Sequence, residues 1–158
     1  LVEVAISFLI LAGMMVFYRM MPGIYALWVP LIILYTMIVA LTLSFIGAAV
    51  NVYYRDVGQA LPVALSLLMY ASPVIYPLSL VQKRLVEQEG AGEWSNLLYT
   101  LYTLNPLAGI IDGFQRVLLK GLPPDFGSML PGFIATLILL PPSYLFFKRA
   151  ETWFADII

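Results

Sequence analysis

From Met20 to Tyr54 the chain carries no charged residue. As a helix rising about 1.5 Å per residue, that run reaches about 50 Å, well beyond the roughly 30 Å hydrocarbon thickness of a bilayer. Such a segment belongs either in the core of a large soluble protein or in lipid. The chain has 158 residues, 62% hydrophobic and 11% charged. Soluble domains are nearer half apolar and a quarter charged, and small ones keep much of their surface wet. Lipid must therefore solvate the excess apolar surface, and the expected fold is an all-α polytopic membrane protein.

Four stretches are expected to span, at about residues 4–18, 25–53, 58–80 and 126–147. Together they form a single transmembrane domain, residues 1–158. The chain opens on Leu1 and runs almost directly into an apolar stretch, with no basic segment before it. A signal peptide is not expected, and the chain reads as a fragment truncated at its N-terminus. Pro30 is expected to kink the second span near its start, and Pro62 to sit in the first turn of the third. Pro73 and Pro77 disturb the far end of the third span, and Pro141-Pro142 should bend the last one. Residues 82–95 are polar and read as an aqueous loop. Thr152 to Ile158 read as an amphipathic tail with Trp153 and Phe154 suited to the interface.

Residues 97–119 are apolar enough to enter a membrane, yet Asn105-Pro106 divides them into two pieces, each too short to cross a bilayer. Two short apolar helices joined by a break predict a re-entrant hairpin that enters and leaves on one side. One kinked spanning helix is the alternative. With a hairpin there, Arg55-Asp56 and Lys148-Arg149 fall on the same side of the membrane. Counting Arg and Lys alone puts that side outside, because Arg19, Lys83, Arg84, Arg116 and Lys120 gather opposite.

Several functions are disfavoured by the residue inventory. The net charge of −1 leaves no electrostatic footprint for nucleic acid. Cysteine and histidine are absent, which removes thiol nucleophiles, imidazole bases and almost every metal site. No metal and no catalytic residue is expected. The G-x-x-x-x-G-K-[ST] phosphate loop is missing too, so ATP chemistry would need a separate chain.

Four segments stand out. Asn51-Val-Tyr-Tyr-Arg-Asp-Val57 joins two spans; its Asn51, Tyr54, Arg55 and Asp56 suit either a polar interfacial turn or a docking point. Ala71-Ser-Pro-Val-Ile-Tyr-Pro77 makes a stiff span exit, with Ser72, Pro73, Tyr76 and Pro77 candidates for a gate or channel mouth together with Asn105 and Pro106. Leu104-Asn-Pro-Leu-Ala-Gly-Ile-Ile-Asp-Gly-Phe-Gln-Arg-Val-Leu-Leu-Lys-Gly121 and the closing Glu151-Thr-Trp-Phe-Ala-Asp-Ile-Ile158 complete the set. Tyr35, Tyr70, Tyr99 and Tyr102 fall within spans or hairpin. Their rings can stack on sugars and their hydroxyls exchange hydrogen bonds, or they can anchor the chain at the lipid interface.

Taken in order, these segments resemble the permease subunit of ABC exporters for polysaccharides and polyol phosphates, the family of O-antigen, capsule and teichoic-acid export permeases. The resemblance covers the chain from about Pro30 onward. It implies a multi-pass protein of the bacterial cytoplasmic (inner) membrane, working with a second copy of itself and with ATPase subunits that carry ATP and Mg. The substrate would be a lipid-linked glycan or polyol phosphate, and this chain would match the third to sixth helices. The family arrangement puts the Arg55 turn in the cytoplasm near the ATPase and the hairpin outside, against the charge count. An ABC exporter of drugs or other lipids, and a membrane enzyme or scaffold, are the alternative readings.

Overall fold

A computed structural model describes residues 2–19, 23–54, 56–74, 76–84 and 93–154. Among them the chain is helical, with no strand. Helix α1 spans Val2–Phe17. A 3-10 turn, Ile24–Trp28, leads into α2, Val29–Tyr53. Helix α3 spans Val57–Ala71 and the short α4 Leu78–Gln82. Helices α5, Glu93–Thr103, and α6, Pro106–Phe114, follow, and α6 runs on into a π turn, Gln115–Leu119. Helix α7, Phe126–Phe154, closes the described fold.

Two of the four expected spans are long and apolar enough to cross a membrane, residues 24–53 and 126–152. The other two are shorter apolar helices, Ala5–Phe17 and Val57–Ala71. The third stretch stops at Ala71 instead of reaching Leu80, because Pro73 offers no N–H to continue the ladder. Pro30 lies near the helix start, as expected, and the placing of Pro62 is corrected. Pro30 lies in the first turn of α2, after the 3-10 turn, where its missing N–H costs least. Pro62 lies inside α3, beyond its first turn. The last helix also runs past the expected end at Phe147, through Lys148, Arg149 and Glu151. The polar loop falls largely outside the described residues, as do Arg55 and the last four residues of the tail.

The core is the seam of α2, α6 and α7. Helix α2 buries Ile32, Tyr35, Val39, Thr42 and Ala49, one face at helical spacing. Helix α7 meets it with small residues: Ser128, Gly132, Thr136, Ser143 and Ala150 are all buried. Small side chains let helix backbones approach closely, the packing mode favoured in lipid. A Cβ built on Gly132 would lie 2.7 Å from the Cα of Pro106, and one on Gly109 would lie 2.8 Å from the Cα of Met129. Both positions therefore require glycine, since neither neighbour is a flexible side-chain tip. Around this seam Tyr35 packs edge-on against Phe133, Trp28 against Phe126, and Phe45 against Tyr144.

Outside the seam the polarity is reversed relative to a soluble protein. Leu9, Val16, Leu27, Val63, Leu67 and Ile138 are exposed, whereas Thr42, Ser72, Asp112, Ser128 and Thr136 are buried. The accessible surface is 11154 Å². A compact soluble chain of 17.6 kDa would expose about 7,900 Å². No residue of α3 is buried. Hydroxyls return hydrogen bonds to carbonyls one turn back at Thr36, Thr42, Ser66, Ser72 and Thr136, satisfying polar atoms within their own helices.

Candidate functional site

The exit of α3 and the α5–α6 pair meet through three side-chain hydrogen bonds. The break after Ala71 frees carbonyls that a continuing helix would have used. The Ser72 backbone N–H turns to the carbonyl of Met69, at 3.2 Å, and its hydroxyl donates to that of Leu68, at 2.7 Å. The lone pairs of that hydroxyl accept from the Asn105 amide, at 3.0 Å. Asn105 is also the N-cap of α6, its side-chain oxygen accepting from the Leu107 N–H at 3.1 Å. Asparagine followed by proline is a strong helix start, because the cap satisfies an orphan N–H and proline lacks the next one. The same side chain thus starts α6 and ties it to the end of α3.

The second bridge runs from the first residue of the π turn. Gln115 donates its side-chain amide to the carbonyl of Pro73 at 3.2 Å. The third joins two phenols: the hydroxyls of Tyr76 and Tyr102 lie 3.2 Å apart. Ser72 and Pro73 are fully buried, while Tyr76 and Tyr102 are half-buried.

Most of the expected gate residues are therefore neighbours in space. Ser72, Pro73 and Tyr76 come from the α3 exit and Asn105 from the helix pair, and the substrate-contact candidate Tyr102 lies with them. Pro106, next to Asn105 in the chain, packs closely against Gly132 of α7, and Pro77 is the N-cap of α4. The substrate-contact candidates scatter more widely. Tyr70 is exposed on α3, Tyr99 is half-buried on α5, and Tyr35 is buried in the α2–α7 seam. In this arrangement Tyr35 packs helices and offers no accessible hydroxyl. That hydroxyl has no hydrogen bond of good geometry; the neighbouring Thr136 hydroxyl donates to the Gly132 carbonyl at 2.7 Å.

At the other end of α2 and α3, Asn51, Tyr54 and Asp56 are exposed, and the Asp56 side chain caps nothing although it stands at the N-cap of α3. Arg55 lies outside the described residues. Gly58 faces Asn51 closely, a built Cβ lying 3.2 Å from the Asn51 side-chain oxygen. The turn between the two helices thus presents polar groups outward.

Three features were not anticipated. Gln115 was passed over because its partner is a backbone carbonyl far away in the chain. Asp112 is buried within α6 beside Ser128, with Arg116 one turn on. Arg116 in turn pairs with Asp125 at 3.7 Å and donates to the Pro123 carbonyl at 3.2 Å. A groove of about 420 Å³ between α2 and α7 is lined by apolar atoms of Trp28, Ile32, Tyr35, Met129 and Phe133. No polar atom lines it, a surface suited to hydrocarbon. Among the described residues no cluster of acidic side chains could hold a metal ion.

No protein-family profile and no solved structure matches the chain. Three curated relatives do. The chain is 26% identical over 141 residues to the O-antigen export system permease protein RfbA of Myxococcus xanthus, covering 89% of this chain and 50% of that protein. It is 26% identical over 145 residues to a protein of the same name from Klebsiella pneumoniae, covering 89% of this chain and 49% of the relative. A second Klebsiella pneumoniae protein of that name is 24% identical over 143 residues, with the same coverage of each chain. The chain spans about half the length of the curated relatives it matches. The resemblance to O-antigen export permeases of the ABC type, read from the four segments, is borne out.

Proposed function

We propose, from this similarity to O-antigen export permeases, that the chain is membrane-spanning machinery of an ATP-driven exporter for a lipid-linked polysaccharide or polyol phosphate. The observation that carries the reading is the similarity along 89% of the chain to proteins named as export permeases. The inverted polarity of the fold, with leucines outside and hydroxyls inside, supports a lipid setting. Four helices cross the cytoplasmic membrane of a bacterium in this reading. The α5–α6 pair dips in from the external side and returns.

The chain supplies a passage and no chemistry. ATP and Mg bind a separate ATPase subunit, which docks on the turn at Asn51, Tyr54, Arg55 and Asp56. A second copy of the chain completes the channel. The tyrosines at the exit, Tyr76 and Tyr102, meet the sugar chain, with Tyr99 on α5 and Tyr70 on α3 as further contacts. Depletion of the gene in its host tests the proposal. Surface glycan should vanish while lipid-linked glycan accumulates on the cytoplasmic face. Normal surface glycan after depletion would sink the reading.

A further inference from the structure

The three bridges differ in what breaking them entails. Ser72 and Pro73 are fully buried, so parting Ser72 from Asn105, or Pro73 from Gln115, strands polar atoms where no water replaces the lost partner. Asn105 is held twice over, since its oxygen caps α6. The Tyr76–Tyr102 contact has neither restraint. It is half-buried and rests on one hydrogen bond between two rotatable hydroxyls. Two phenols bring two protons, and their mutual bond uses one.

We propose that the tyrosine pair is the opening contact of the exit, while the Ser72–Asn105 and Pro73–Gln115 contacts stay closed and carry the helix pair with α3 as one body. The inference rests on the export reading and adds a division of labour within that site. The ligand that opens the pair is a hydroxyl-rich chain. A polyol hydroxyl both donates and accepts, so it replaces the bond each phenol loses and also accepts from the second phenolic O–H. A hydrocarbon tail replaces neither. The pair therefore opens readily for glycan and stays shut against lipid.

The chain lacks cysteine, so paired cysteines can be placed without background. Two variants, Tyr76→Cys/Tyr102→Cys joined by a cleavable bis-maleimide and Ser72→Cys/Asn105→Cys joined by a disulfide, are assayed for glycan export in cells, tethered and after reduction. The tether at 76 and 102 is expected to abolish export and reduction to restore it. The tether at 72 and 105 is expected to make no difference relative to the reduced form of the same variant. Because cysteine at these sites can disturb folding, Tyr76→Phe/Tyr102→Phe is measured alongside. It keeps both rings, and loss of the hydroxyls should lower export severalfold with the protein level unchanged. Export through a tethered tyrosine pair, a block by the 72–105 tether, or full export by the phenylalanine variant would each overturn the proposal while leaving the export reading intact. A wild-type protein that exports no glycan would overturn both.

Discussion

The Asn105 side-chain amide donates to the Ser72 hydroxyl at 3.0 Å, and its oxygen accepts from the Leu107 N–H at 3.1 Å. One side chain thus starts a helix and binds it to the exit of another. Asn105→Ala removes both functions and should cost about 2 kcal/mol. Ser72→Ala removes the bridge and the hydroxyl's bond to the Leu68 carbonyl, and should cost about 1–2 kcal/mol. The double variant should lose less than the two singles together, because they share one bond. Thermal unfolding in detergent checks this; strict additivity would mean the bridge carries no coupling.

Gly132 lies where a Cβ would be 2.7 Å from the Pro106 Cα. Gly132→Ala should destabilise by about 1–3 kcal/mol, as the helix break is pushed off α7. Gly13 has nothing within 4 Å of its built Cβ, so Gly13→Ala should be neutral or slightly stabilising. Equal melting temperatures for the two variants would contradict this packing.

Tyr35→Phe removes a buried hydroxyl that lacks a well-formed hydrogen bond and keeps the ring against Phe133. Stability should hold or rise by about 1 kcal/mol, and glycan export should be unaffected. A fall in export at unchanged stability would return Tyr35 to the cargo path.

The hairpin reading makes a topological prediction. Trp94 and Leu122 flank the helix pair and are exposed, as are Asp56 and Lys148. Single cysteines at 94 and 122 should react with an impermeant maleimide from outside intact cells, and those at 56 and 148 only after permeabilisation. Labelling of 94 and 122 from opposite sides would mean one spanning helix instead.

The break at Asn105-Pro106 was legible because both residue types act locally, one as a cap and one by lacking an N–H. The long apolar helix from Val29 was legible because nothing charged interrupts it. Pro62 was misplaced although the helix start was read to within one residue: α3 begins at Val57, and Pro62 is its sixth residue, past the first turn. The Gln115–Pro73 bridge was hidden because its acceptor is a main-chain carbonyl with no sequence signature. The small-residue face of α7 was readable in principle, with Ser128, Gly132 and Thr136 four apart and Ser143 and Ala150 at sevens beyond. Its meaning needed the neighbour that fills it, Pro106 on the helix pair.

The central claim is ATP-driven movement of a lipid-linked glycan. Proteoliposomes holding this protein and the ATPase proposed as its partner, given a lipid-linked glycan with a fluorescent sugar end, test it most directly. With ATP the label should become protected from an external glycosidase, and without ATP it should not. Arg55→Ala is expected to leave the protein inserted and ATP hydrolysed, with protection lost. Protection that is the same with and without ATP, or full transport by Arg55→Ala, would contradict ATP-driven export or the coupling role of the turn, respectively.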